Sequence, residues 1–166
     1  MGNSLFDIKG KIALVTGSTH GLGMAMAKGL GHAGATIIIN GNSSQPKIDE
    51  AVLEFKKEGI TAFGYKFNVA IESEVIAAIS KIESEVGPID ILINNAGIIK
   101  RIPLIEMEVA DFQEVIDIDL VSPFIVSKHV AKGMIARQQG KIINVCSMMS
   151  ELGRNGVGAY AAAKGG

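Results

Sequence analysis

Tyr160 and Lys164 stand four residues apart in the stretch YAAAK, whose three alanines favour helix, so both side chains project from one helical face. A tyrosine hydroxyl with the ordinary pKa of about 10 is a poor base at neutral pH, and lowering it by about three units takes about 4 kcal/mol. A lysine ammonium about 4 Å away supplies an interaction of that order at an effective dielectric near 20. Ser147, at the end of an apolar run, could approach the same point and hold an oxygen there. Such a trio suits proton transfer at a hydroxyl or carbonyl oxygen. Taken alone, the tyrosine and lysine read more readily as an ordinary pair on a surface helix.

A second cluster concerns charge of the opposite sign. TGSTHGLG, residues 16–23, places Gly17, Gly21 and Gly23 between an apolar run and a helical one. Glycines there let the backbone approach a pyrophosphate, which the free N–H groups and dipole of a helix N-terminus favour. A dinucleotide is the implied ligand, and an oxidised nicotinamide would add positive charge near the tyrosine. NNAG, residues 94–97, closes another apolar run, where open α/β sheets bind ligands. Asn94 and Asn95 could hydrogen-bond neighbouring loops, with Gly97 allowing close approach. A capped turn explains the same four residues.

The elements that must position these groups follow from periodicity. Apolar runs at 12–16, 36–40, 61–69, 89–94 and 141–147 alternate with helical patterns at 21–34, 47–59 and 72–87, each helical pattern closing at Gly. That order predicts an α/β fold with a parallel sheet and crossover helices. The first, second, fourth and fifth runs are nearly continuous in Ile, Val and Leu, as for strands covered on both faces. A further helical pattern at 109–137 contains Pro123, which predicts a bend or two helices. No linker, repeat or low-complexity tract divides residues 1–166, which read as one domain.

Composition narrows the partners. Hydrophobic residues make up 48% of the 166, and the net charge of −1 gives no reason to expect nucleic acid or an anionic membrane. The apolar runs are strand-sized, well short of the ~18 residues of a membrane span. Cys146 has no internal partner for a disulfide, and no secretory leader pattern precedes GKIALVTG, so a reducing cytoplasm is expected. No metal-ligand set is read.

TGSTHGLG, NNAG, Ser147 and YAAAK, with the thirteen-residue step from Ser147 to Tyr160, together resemble the short-chain dehydrogenase/reductase family. The resemblance implies a doubly wound Rossmann fold and a nicotinamide cofactor. Tyr160 would be the general acid/base, Ser147 the orienter of the reacting oxygen, and Lys164 both a ribose ligand and the electrostatic partner of Tyr160. The cofactor is assigned to Gly17, Ser18, Thr19, His20, Gly21, Leu22 and Gly23, to Asn40 and Asn42, to Asn68 and Val69, and to Asn95, Ala96 and Gly97, besides Tyr160 and Lys164. Over NAGIIKRIPLIEM, INVCSMMSELGR and YAAAKGG the chain is similar to members that interconvert a sugar acid and its keto acid, D-gluconate and 5-keto-D-gluconate first. Another ketogluconate, 2-deoxygluconate or a secondary alcohol is the alternative, and a non-catalytic cofactor-binding or interaction fragment a third. Arg101 and Arg154, just after two sheet-end motifs, could face a substrate carboxylate beside Ser147 and Tyr160, or stand as solvent-facing cations.

The pattern departs from the family at three places. VIDIDLVSPF puts Asp119 where the family carries a catalytic asparagine, adding a negative charge that could offset part of the lysine's effect. Asn68 replaces an aspartate that contacts adenine, and keeps an acceptor for the adenine amino group. NGNSS at 40–44 has neither the acidic residue of NAD users nor the arginine or lysine of NADP users. Gly41 offers no carboxylate to repel a 2′-phosphate, and His20, Asn42, Ser43 and Ser44 could donate to it, so NADP is favoured with NAD as a second choice. The resemblance also implies a homotetramer, and two further strands and a substrate-covering segment after Gly166. A chain ending there is expected to be poorly stable and nearly inactive, the function belonging to a longer polypeptide.

Overall fold

Successive residues of the central strands face opposite sides of the sheet, and both sides are covered. Leu14, Ile38 and Leu92 enter one apolar cluster, with Val75, Ile82, Val126 and Val130. Ala13, Val15, Ile37, Ile39, Ile91 and Ile93 enter the other, with Ala27, Ala51 and Phe55. This is why the strand sequences lack polar alternation. A computed structural model describes residues 7–166; residues 1–6, which the sequence reading put in the same domain, lie outside the described residues.

The elements run β1 (Ile12–Val15), α1 (Gly21–His32), β2 (Thr36–Gly41), α2 (Gln45–Lys57), β3 (Ala62–Lys66), α3 (Glu72–Glu85), β4 (Ile91–Asn94), α4 (Val109–Ile116), α5 (Ser122–Ala136), β5 (Lys141–Asn144) and α6 (Gly158–Gly165). All the strand pairs are parallel, in the order β3-β2-β1-β4-β5. The order reverses between β1 and β4, so the loops at the C-terminal ends of these two strands face a common crevice. No helix among the described residues is long and apolar enough to cross a membrane.

Two expectations need correction, and a third, at Pro123, is refined. β5 is not covered on both faces: it is the outer strand, paired with β4 alone, and Ile142 and Ile143 are 39% and 50% exposed. β3 stops at Lys66, because Asn68 turns the chain by accepting the Ala70 N–H through its side-chain oxygen at 3.0 Å. Pro123 stands at the start of the second of two helices, α4 and α5, as expected, but no break separates them. The chain stays helical from Val109 to Ala136 by widening into a π-helical turn over Asp117–Val121, where the Ser122 N–H bonds the Asp117 carbonyl. Pro123 lacks the N–H that a regular turn would need, and the wide turn absorbs the mismatch just before it. That turn points Asp119 inward, where it is buried.

Candidate active site

The glycine turn and the loop after β4 are built into one another. Gly17 and Gly21 adopt left-handed backbone, with φ of +63° and +59°. A Cβ on Gly17 would stand 2.9 Å from the Ala96 Cα, and one on Gly23 2.4 Å from the Gly17 carbonyl oxygen and 2.5 Å from Asn95 Nδ2. Asn95 Nδ2 donates to the carbonyls of Thr16 (2.9 Å) and Gly17 (3.2 Å). In return Thr16 Oγ1 accepts the N–H groups of Asn95 (2.9 Å) and Ala96 (3.0 Å). Gly21 is open on its side-chain face, and no side chain caps the N-terminus of α1. The first N–H groups of that helix are therefore free to meet an anion.

A cleft of about 360 Å³ lies above this turn, lined by Gly17, His20, Gly21, Leu22, Gly23, Asn42, Asn68, Val69, Asn95, Ala96 and Gly97. Asn40 also touches it, but both ends of its amide are spent: Oδ1 accepts the Gly17 N–H at 3.1 Å and Nδ2 donates to the Phe67 carbonyl at 3.0 Å. Ser18 is fully buried, its hydroxyl donating to the Val15 carbonyl (2.6 Å) and accepting the Asn40 N–H (3.1 Å). Ser18 and Asn40, expected as ligands, thus shape the cradle from beneath. Thr19 lies outside the cleft, against Gly41, whose Cβ would come within 2.7 Å of the Thr19 methyl group. The acceptor of Asn68, expected to meet adenine, is engaged by the Ala70 N–H.

Tyr160 and Lys164 do share a face of α6, with Lys164 Nζ 5.8 Å from the centroid of the Tyr160 ring. Ala159 and Ala163 bury the adjacent stripe, about 100° round the helix, against Val115 of α4, and Tyr160 packs on the same cluster, which fixes the rotation of the helix. Ser147 lies beyond β5, which ends at Asn144, and begins a 3₁₀ turn over Met148–Ser150. Its oxygen accepts the Met149 N–H at 3.2 Å, which leaves its own hydrogen for another acceptor. Ser150 Oγ donates to the Lys164 carbonyl at 2.7 Å, tying the serine turn to α6.

Lys164 is held from two sides. Its Nζ donates to the Val145 carbonyl at 3.1 Å and lies 3.7 Å from Asp119 Oδ2. Asp119 Oδ1 accepts the Ile98 N–H at 2.7 Å, while Oδ2 has no hydrogen-bond partner. Burial pushes the Asp119 carboxyl above the usual carboxylate range, opposed by the Ile98 N–H and the Lys164 ammonium. Through Asp119 and Ile98 the lysine connects to the cleft, since Gly97 and Ile98 line it.

Arg101 and Arg154 sit on exposed loops joined by the Ile102 N–H donating to the Gly156 carbonyl at 3.1 Å, and neither guanidinium has a polar partner among the described residues. Sequence reasoning gave no role to Thr16, although a hydroxyl residue immediately before the first glycine was the available signal. It also passed over Lys47, which shares a concavity with Thr19, His20, Glu50 and Glu54.

The family model for short chain dehydrogenase matches residues 11–166. The chain belongs to that family. Within the family it is similar to the 2-dehydro-3-deoxy-D-gluconate 5-dehydrogenase of Formosa agariphila, 80% identical over 166 residues, which are 100% of this chain and 63% of that protein. It is 45% identical over 163 residues to the 5-keto-D-gluconate 5-reductase of Escherichia coli K12, covering 98% of this chain and 64% of that one. Among family structures, the gluconate 5-dehydrogenase from Burkholderia cenocepacia in complex with NADP and tartrate superposes with a TM-score of 0.92 at 45% identity. That match covers 96% of this chain and 62% of the other. The chain thus spans a little under two thirds of the length of these relatives.

Proposed function

We propose that this chain carries the dinucleotide cradle and the proton-transferring residues of an oxidoreductase that interconverts the C5 alcohol and C5 ketone of a sugar acid. The observation that carries the reading is the Tyr160–Lys164 face of α6, linked through Asp119 and Ile98 to the glycine cleft. A nicotinamide dinucleotide fits the residues present: two glycines have no room for a Cβ, Gly21 offers bare backbone, and the start of α1 is uncapped. When bound, it supplies the hydride acceptor. The chain's own part is to position and deprotonate. The Ser147 hydroxyl donates to the substrate oxygen, the Tyr160 hydroxyl oxygen takes the proton of the alcohol, and Lys164 offsets the phenolate charge. Gly17, Leu22 and Gly23 would receive the pyrophosphate, and Gly97 the nicotinamide half.

The favoured substrate is 2-dehydro-3-deoxy-D-gluconate, on the strength of the relative at 80% identity, with D-gluconate and 5-keto-D-gluconate as the second reading from the more distant ones. Both readings share a carboxylate and a reacting C5. The uncommitted Arg101 and Arg154 suit the carboxylate, and the tartrate held by the Burkholderia relative is a hydroxy acid of the same chemistry. NADP is the favoured cofactor, with NAD as a second choice. No carboxylate ends β2, since Gly41 has no room beside Thr19, and Lys47, His20 and Asn42 are exposed where a 2′-phosphate would lie. A homotetramer in the cytoplasm completes the proposal. The 65% exposure of Phe124 on α5 supports burial in an assembly, and the free Cys146 suits a reducing compartment.

The test is nicotinamide reduction by a purified polypeptide that carries this chain, with NADP and NAD, offered 2-dehydro-3-deoxy-D-gluconate, D-gluconate and a neutral polyol. Turnover is expected with the sugar acids alone, and Tyr160→Phe should reduce it about 10²–10⁴-fold with dinucleotide affinity retained. Dinucleotide binding without turnover on any substrate would favour a non-catalytic binding fragment instead.

A further inference from the structure

Asp119 is a carboxylate in a place that offers it one cation and no water-facing surface. Its side chain is fully buried, and that of Lys164 is 10% exposed. Oδ1 is satisfied by the Ile98 N–H at 2.7 Å. Oδ2 lies 3.7 Å from Lys164 Nζ with no hydrogen bond of its own. The cavity that Asp119 and Lys164 both line holds one other titratable side chain among the described residues, Cys146, beside the neutral Asn94, Ser127 and Asn144. Ile98 and Gly97, after β4, face Asp119 with backbone; Asp117 on the same turn is engaged by Gln113. Around Tyr160 the neighbours from α4 and the π-helical turn are apolar: Phe112, Val115, Ile116 and Leu120.

Lys164 therefore faces two groups that compete for its charge. On one side is the Tyr160 ring, 5.8 Å from Nζ, and on the other the Asp119 carboxylate. In a poorly solvated setting an ammonium paired with a carboxylate presents a dipole to a third group, not a full positive charge. We propose that Asp119 acts through Lys164 to raise the pH at which Tyr160 forms its phenolate, compared with the same chain carrying an uncharged side chain at 119. Asp119 is then a positioning and charge-setting residue, not a catalytic one. The inference rests on the functional reading only for its importance to turnover; the coupling itself is a property of these three side chains.

The experiment is an ultraviolet titration of phenolate formation in the ligand-free protein, comparing wild type with Asp119→Asn. The chain has two tyrosines, of which Tyr65 is pushed up to about 12 by burial and by Glu85, and the transition lost in Tyr160→Phe is the one assigned to Tyr160. Asparagine keeps an acceptor for the Ile98 N–H and removes the charge. The transition assigned to Tyr160 by that loss should move down by about one pH unit, and the shift should vanish when Lys164→Met is added to both proteins. If Asp119→Asn does not fold, Asp119→Ser is the second uncharged variant and must move the transition in the same direction. A transition that stays in place or moves up, or a shift that persists without the lysine, overturns the proposal. Because no turnover is needed, an absence of sugar-acid oxidation would defeat the functional reading and leave this result standing, and the reverse holds equally.

Discussion

Asn95 holds the glycine turn from across the crevice: its side-chain nitrogen reaches the carbonyls of Thr16 and Gly17, at 2.9 and 3.2 Å, while Thr16 Oγ1 takes the Asn95 N–H. Two loops from adjacent parallel strands are thereby locked before any ligand arrives. Asn95→Ala should cost about 1–3 kcal/mol of stability by leaving these carbonyls with one partner fewer. It should also weaken dinucleotide binding. Chemical denaturation and a dinucleotide titration on the same preparations check both; unchanged affinity would show that the turn holds its shape without the latch.

Glycines in α1 separate into two kinds. A Cβ on Gly23 would meet the Gly17 carbonyl at 2.4 Å and Asn95 Nδ2 at 2.5 Å, whereas one on Gly29 meets nothing within 4 Å. Gly23→Ala should destabilise by about 1–3 kcal/mol and abolish dinucleotide binding. Gly29→Ala, mid-helix and exposed, should stabilise by about 0.5–1 kcal/mol with binding intact. Melting curves of the two variants must move in opposite directions.

The strands and crossover helices were legible because burial on both faces writes itself as continuous Ile, Val and Leu, and because Gly34, Gly59 and Gly87 stop the helices with positive φ. The inward hydrogen bonds of Ser18 and Asn40 were hidden for a physical reason: a polar residue beside a glycine turn looks the same in sequence whether it faces ligand or spends its hydrogen bonds inward. The π-helical turn was equally hidden. Pro123 signalled a disturbance, but continuation of the helix depends on Ser122 bonding Asp117 five residues back. Covering of β5 was overestimated because the apolarity of a strand does not say which of its neighbours is present.

Tyr65 gives the fold a defined alkaline response. Its hydroxyl donates to Glu85 Oε2 at 2.8 Å, and burial with that carboxylate pushes it from 10 up to about 12. Below pH 10 both folded and unfolded chains keep the proton, so the contribution is fully present. Between 10 and about 12 the unfolded chain releases it first, and stability falls as pH rises. Tyr65→Phe should remove that part of the slope, visible as a flatter dependence of the urea midpoint on pH across this window.

Arg101 and Arg154 stand on loops pinned by the Ile102–Gly156 bond, and among the described residues no carboxylate pairs with either guanidinium. Replacing either by Met should raise KM for a sugar acid about tenfold, while kcat changes little and a neutral polyol is unaffected. Equal losses on acid and polyol would assign the arginines to folding of the loops.

The most direct measurement follows one hydrogen. The substrate is 2-dehydro-3-deoxy-D-gluconate carrying deuterium at C5, incubated with the protein and oxidised NADP, and the reduced dinucleotide is weighed by mass spectrometry. Tyr160-assisted oxidation at C5 delivers one deuterium to the nicotinamide in each turnover, with about 10²–10⁴-fold less labelled dinucleotide formed per unit time in parallel samples of Tyr160→Phe. Reduced dinucleotide without deuterium would place the chemistry at another carbon, and no reduced dinucleotide from a chain that binds NADP would contradict the assignment of oxidoreductase chemistry to these residues.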